Sequence, residues 1–264
     1  MLRIVQLTLK GIFRDRVFQG IIVLGMLFLF IPSAASLSMR QVTELSITLS
    51  LSLISFILLL LSVFLGATSL WKDIERRYTY SMLSLPLSRS SYLLGRFFGI
   101  ALFLMLTATL LGVLGGLAVK LAAGIYPSDR PIMWSWLVLA IFFSSCKYIL
   151  LVAVAMLFSS ISTSFFLPVF GTICTFLVSG ITQQVYDYIH SPAAAEAITP
   201  LLKSTASAFY YLLPNLAGFD LKVNAIYGIH PSASGLVLTF GYFLVYTTIL
   251  LGVAALLFER REMK

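Results

Sequence analysis

The chain has 264 residues, of which 59% are hydrophobic and only 11% charged, and it carries a net charge of +8. A soluble domain is about 45–50% apolar and about 25% charged, so the composition excludes one and implies an integral membrane protein, with room for roughly six spans of about 20 residues. The positive balance forms no continuous basic stripe interleaved with stacking aromatics, which argues against nucleic acid as a partner; the Lys and Arg side chains gather at the ends of apolar runs.

Residues 1–16 predict an amphipathic helix at the membrane surface. Leu2, Val5, Leu9, Ile12 and Phe13 recur at helical spacing, while Arg3, Lys10, Arg14 and Arg16 reach toward lipid headgroups. The same residues also read as the basic flank of the first span. No cleavage-site pattern follows, so a removable signal peptide is not expected.

Six spans are predicted near Val17–Leu37, Leu45–Trp71, Phe97–Ala123, Ser135–Phe158, Phe165–Tyr188 and Ser234–Phe258. Trp71, Tyr92, Tyr126, Trp134, Trp136 and Tyr188 lie near their ends, where interfacial aromatics belong. The second span is long enough to tilt or to continue beyond the bilayer. With the N-terminus inside, twelve of the 18 Lys and Arg residues fall on the cytosolic side and five on the outer side, leaving Lys147 within a span. That asymmetry favours cytosolic N- and C-termini. The expected fold is therefore all-α and polytopic: one transmembrane domain over 1–264, with a cytosolic loop at 72–96 and an extracytoplasmic loop at 189–233. In the outer loop, "AAAEAITPLLKSTASAFYYLLPNLAGF" predicts a moderately apolar helix ending near Pro214, interfacial or partly re-entrant. Gly95 with Gly99, and Gly112 with Gly116, give the small-residue spacing that lets helices approach closely.

Catalytic chemistry is not indicated. The chain has no G-x-x-x-x-G-K-[ST] loop and no H-E-x-x-H. Paired carboxylates inside a span are missing too; Asp187, at the outer end of the fifth, comes nearest. Cys146 and Cys174 lie deep in apolar segments, and His190 and His230 read as surface residues of the outer loop, so no disulfide framework or metal site is expected.

The charged stretch "WKDIERRYTYSMLSLPLSR" stands apart between two apolar runs. Ile74, Tyr78, Met82 and Leu85 fall on one helical face, with Glu75, Arg76 and Thr79 turned away. Asp73 is placed to cap the first turn, supported by Glu75 near the positive dipole end. Pro86 stops this helix, and Ser88 is placed to cap the next, which runs through Tyr92 and Gly95 into the third span.

The stretch "DIERRYTYSMLSLPLSRSSYLLGRF" resembles the first cytosolic loop of ABC-2 type permeases, the membrane subunits of ATP-binding-cassette transporters. Their pattern is an acidic residue, a Leu-rich turn, then Pro-x-x-Arg-x-x-Tyr-x-x-Gly-Lys/Arg. Here Glu75, Met82, Leu83, Pro86, Arg89, Tyr92, Leu93, Gly95 and Arg96 fill it. The family's frequent Gly-Thr is replaced by Tyr78-Thr79. The resemblance implies an inner-membrane permease without its own ATP site, pairing with a second permease copy or similar subunit. It also implies a cytosolic ABC ATPase that binds ATP and Mg and docks on this loop, with Asp73, Glu75, Arg76, Arg77, Tyr78, Met82, Pro86 and Arg89 as the contact set. Similar permeases serve drug, polysaccharide or sodium export. Without the motif, the amphipathic face reads equally as a surface lying on lipid headgroups. A reading from another class is a non-transporting scaffold or sensor whose cytosolic loop recruits a signalling partner.

Lys147 lies near the middle of the fourth span, where a charge costs at least about 2.5–3.5 kcal/mol and usually faces a bundle interior or water-filled cavity. One reading places it on the pathway or an interface, attracting an anionic group. The other has it bonded to backbone carbonyls and to Ser144 or Ser145, or snorkelling along a tilted helix.

Overall fold

A computed structural model describes residues 2–14, 16–37, 41–75, 88–125, 131–191 and 199–260. Among them the chain is helical throughout its regular structure. It runs through α1 (Leu2–Arg14), α2 (Arg16–Met26), a 3-10 turn (Leu27–Phe30), α3 (Ile31–Ala35), α4 (Val42–Glu75) and α5 (Arg89–Ile125). It continues through α6 (Trp134–Ile161), α7 (Phe166–Ile189), α8 (Pro200–Leu212), a second 3-10 turn (Ala217–Phe219), α9 (Lys222–Tyr227) and α10 (Ala233–Arg260). Five of these, α4, α5, α6, α7 and α10, are long and apolar enough to cross a membrane. The chain is an all-α polytopic membrane protein.

The first expected span differs from the rest. Instead of one helix over Val17–Leu37, the chain forms two helices of 11 and 5 residues around the four-residue 3-10 turn. Pro32 is the physical reason. It has no N–H to give to the carbonyl of Phe28, and its ring crowds that carbonyl in a regular α-helix. The N–H of Ile31 takes the Phe28 carbonyl instead, in the tighter i→i+3 pattern. Phe28, buried, sits where a Cβ on Gly115 of α5 would lie 3.2 Å from its ring.

Helix α6 is the centre of the bundle, and nearly every side chain from Tyr148 to Met156 is buried. Apolar burial does not drive helix association in lipid; close backbone approach and packing do. Accordingly α4 meets α6 at Gly66, where an added Cβ would come within 2.7 Å of Ala155 Cβ. One turn further along, Ser159 Oγ donates to the Ala67 carbonyl at 3.3 Å.

Helix α5, 37 residues long, uses its glycines one neighbour at a time. Gly95 and Gly99 seat α1, since a Cβ there would meet Ile4 at 2.9 Å and Thr8 at 2.7 Å. Helix α1 thus packs Ile4, Thr8 and Ile12 onto α5, with Phe13 edge-on to Phe103 at 5.5 Å, and leaves Arg3, Leu7 and Lys10 exposed.

The connection between α7 and α10 enters the bundle after α8 rather than through it. Helix α8 exposes Leu201, Tyr211 and Leu212 and stops at Leu213, which the following Pro214 pushes into an extended conformation. Leu216 and Phe219 are then fully buried in the main apolar core. Helix α9 closes on Gly228, whose φ of +67° is the left-handed end that glycine supplies without strain.

Candidate functional site

At the end of the bundle that carries the charged loop, α4 continues as helix through Lys72 to Glu75. Asp73 and Glu75 therefore continue the helix α4 rather than start a separate one. The expected helix start at Asp73 is corrected accordingly: the backbone over 73–75 is already part of α4. Arg76, Arg77, Tyr78, Met82 and Pro86, and with them the expected amphipathic face, lie outside the described residues.

The exit of the loop is well defined. Ser88 caps α5 as the sequence predicts: its Oγ accepts the N–H of Ser91 at 3.3 Å, and its carbonyl accepts the N–H of Tyr92 at 3.1 Å. Arg89, the first helical residue, donates from Nη1 to the carbonyl oxygen of Glu259 at 3.1 Å. Ser90 Oγ donates to the carboxylate of the same Glu259. The positive end of α5 thus meets the negative end of α10, an arrangement the helix dipoles favour.

The rest of the Pro-x-x-Arg-x-x-Tyr-x-x-Gly-Arg pattern has internal partners too. Tyr92 is buried, its hydroxyl accepts Arg96 Nε–H at 3.1 Å, and the Arg96 guanidinium lies 5.6 Å from the Tyr92 ring centre. Gly95 makes room for Ile4. The described half of the pattern therefore builds a rigid joint between α1, α5 and α10.

Lys147 sits at the centre of α6, away from the Arg89 joint, half-buried. Its Nζ lies 5.4 Å from the Phe176 ring centre and 5.7 Å from that of Tyr148, a cation–π pairing between α6 and α7. The two rings are themselves stacked at 6.3 Å. Of the two serines considered as partners, Ser145 gives its hydroxyl proton to the Ile141 carbonyl at 2.8 Å. Among the described residues, the formal charges acting on Lys147 come from the inserted segment between α8 and α10, where Asp220 attracts it and Lys222 opposes. Sequence reasoning missed the aromatic partners because Phe176 is one apolar residue among many in α7.

The inserted segment carries a polar network that sequence reasoning also missed. Asn215 donates its backbone N–H to Tyr242 Oη at 2.9 Å and its Nδ2 to Gln183 Oε1 at 2.7 Å. Tyr210 Oη also donates to Gln183 Oε1 at 3.1 Å, and Tyr246 Oη to the Leu212 carbonyl at 2.7 Å. Non-helical backbone among apolar helices needs such partners, since lipid offers none. The available signal was Gln183 within an apolar helix and tyrosines spaced i, i+4 on α10. Nearby, Gln183 Nε2 donates to Asp187 Oδ1 at 2.9 Å, His190 pairs with the Tyr186 carbonyl at 2.9 Å, and His230 lies edge-on to Trp136.

Comparison with curated proteins gives no match. The family model described as "ABC-2 family transporter protein" matches residues 4–263, from the first turn of α1 to the last residues of the chain. That span takes in the Arg89 joint, all five long helices and the inserted segment between α8 and α10. The chain belongs to the ABC-2 family of transporter proteins, as a multi-pass membrane permease.

Proposed function

We propose that this permease is the membrane-spanning subunit of an ABC exporter. It pairs with a second copy or a similar subunit to form the translocation pathway and is driven by a separate cytosolic ATPase that holds the ATP and Mg. Hydrolysis belongs to that partner, the chain resides in the inner membrane with both termini cytosolic, and the 72–96 loop is the docking element. The observation that carries this reading is the family match across residues 4–263 of a chain with no Walker loop of its own. The joint at Arg89 supports it, because a docking loop transmits force only if its exit is anchored, and Arg89 and Ser90 anchor it to α10.

The test is co-purification and ATPase stimulation. Reversing charge at Glu75 together with Arg76, or changing Tyr78→Asp, is expected to abolish co-purification of a Walker-motif ATPase or its stimulation while the permease still inserts. Normal stimulation in both variants rejects the loop as the docking element. If no ATPase accompanies the unmodified chain, the transporter reading itself fails, leaving a scaffold that recruits a signalling partner.

A further inference from the structure

Between α5 and α6, on the side away from α4, lies a cavity of about 620 Å³ that opens along the helices. It continues into a second, shallower one of about 580 Å³ along α5, with Met105, Thr109 and Val113 shared by both. Gly112 and Gly116 lack the side chains that would fill it. Its polar wall atoms are already satisfied: Thr109 Oγ1 donates to the Met105 carbonyl at 2.9 Å and Ser145 Oγ to the Ile141 carbonyl at 2.8 Å. Along its length the groove therefore offers an occupant apolar surface and no free hydroxyl.

One end is different. Lys120 lies exposed at the mouth, beside Trp134, whose ring edge would be 3.6 Å from a Cβ on Gly116. From Met105 to Lys120 the helix rises about 22 Å, more than the about 15 Å of one leaflet of the hydrocarbon core. A cation and an interfacial Trp at the mouth of a dry groove of this length match a single-tailed cross-section with a negative head.

We propose that this groove is a specific site for an anionic membrane phospholipid, with one acyl chain laid over Gly112 and Gly116 and its phosphate at Lys120. The site differs from the general lipid surface in being concave and charge-marked. The equally apolar outer face of α10, with Val237, Leu238 and Val245 exposed, bears no cation along that stretch.

The full chain is reconstituted into phosphatidylcholine vesicles containing a small fraction of phosphatidylglycerol with a photoactivatable acyl tail, and labelled peptides are mapped by mass spectrometry. Labelling is expected to concentrate on 105–120 and 134–145, several-fold above the α10 stretch 237–249. Gly116→Leu fills the groove from a position whose Cβ has space, and is expected to remove that excess. Lys120→Gln, an exposed change that spares the fold, is expected to erase the preference for the phosphatidylglycerol probe over a phosphatidylcholine probe with the same tail while tail labelling persists. Equal labelling of groove and α10 overturns the proposal. So does an excess that survives Gly116→Leu in a protein of unchanged thermal stability, or a headgroup preference that survives Lys120→Gln. A disulfide between two copies of Val113→Cys in the membrane also overturns it, by giving the groove to a second copy of the chain.

Discussion

Arg89 and Glu259, 170 residues apart, meet where the start of α5 lies beside the C-terminal part of α10, the guanidinium of one at 3.1 Å from the backbone carbonyl of the other. Arg89 is thereby both the arginine of the loop pattern and a residue that ties the start of α5 to α10. Ser90 adds a second link to the Glu259 side chain.

Arg89→Ala removes the guanidinium bond to the Glu259 carbonyl, and Glu259→Ala removes the carboxylate that Ser90 meets. Both bonds lie near the surface, where a single hydrogen bond is worth about 0.5–1.5 kcal/mol, so the melting temperature in detergent is expected to fall by only a few degrees. Substrate-linked ATPase stimulation is expected to fall much further, and more for Arg89→Ala, because the carbonyl it uses survives in Glu259→Ala. Parallel losses of stability and stimulation would reduce the joint to an ordinary structural contact.

The α4–α6 contact allows a size swap. Gly66→Ala places a methyl 2.7 Å from Ala155 Cβ and is expected to destabilise the protein by about 1–3 kcal/mol. Adding Ala155→Gly removes the clashing atom and is expected to recover a large part of the loss, read as thermal unfolding. Val152 Cα, 3.4 Å from the same point, keeps the recovery from being complete.

Lys147 and Phe176 are expected to be energetically coupled. In a double-mutant cycle of Lys147→Met and Phe176→Leu, the cation–π term is expected to appear as about 1–2 kcal/mol of non-additivity. Lys147→Met alone is expected to fold and insert, since it removes a charge from a span, yet to lower transport. Normal transport by that variant would leave Lys147 a packing residue of the α6–α7 contact.

Asn215→Leu strips Gln183 Oε1 of one donor and the Ala217 N–H of its acceptor at 3.2 Å. Buried groups left unpaired cost about 1–3 kcal/mol each, so this change is expected to be among the most destabilising of single substitutions around the inserted segment. Hydrogen exchange is expected to rise over 213–221 first.

The five long helices were legible because a run of apolar residues in lipid has few alternatives to helix; their ends lie close to the hydropathy limits except at the start of α5, which begins at Arg89 and not near Phe97. The Ser88 cap was legible for the same local reason: a hydroxyl directly before a helical run. Asp73 misled because a charged residue after an apolar run looks like a new start, while α4 keeps its hydrogen-bond ladder through Glu75. The break at Pro32 was visible as a proline, yet its outcome depends on Phe28 finding room at Gly115 of α5. Gly95 and Gly99 showed a packing face without showing that α1 occupies it. The Arg89–Glu259 contact and the Asn215 network join residues far apart in the chain, which no local pattern encodes.

Helix α10 is the least enclosed of the five long helices. Glu259 near its C-terminal end is tied to Arg89 and Ser90, and its tyrosines at 242 and 246 hold Asn215 and Leu212 of the connection before it. Between Tyr242 and Glu259 lie about 26 Å of continuous helix. Between those two attachments Leu251, Ala254 and Phe258 are buried in the main apolar core. Helix α10 thus carries one polar tie on either side of a seam packed into the bundle, so a displacement at the Arg89 joint and one at Asn215 load the same helix.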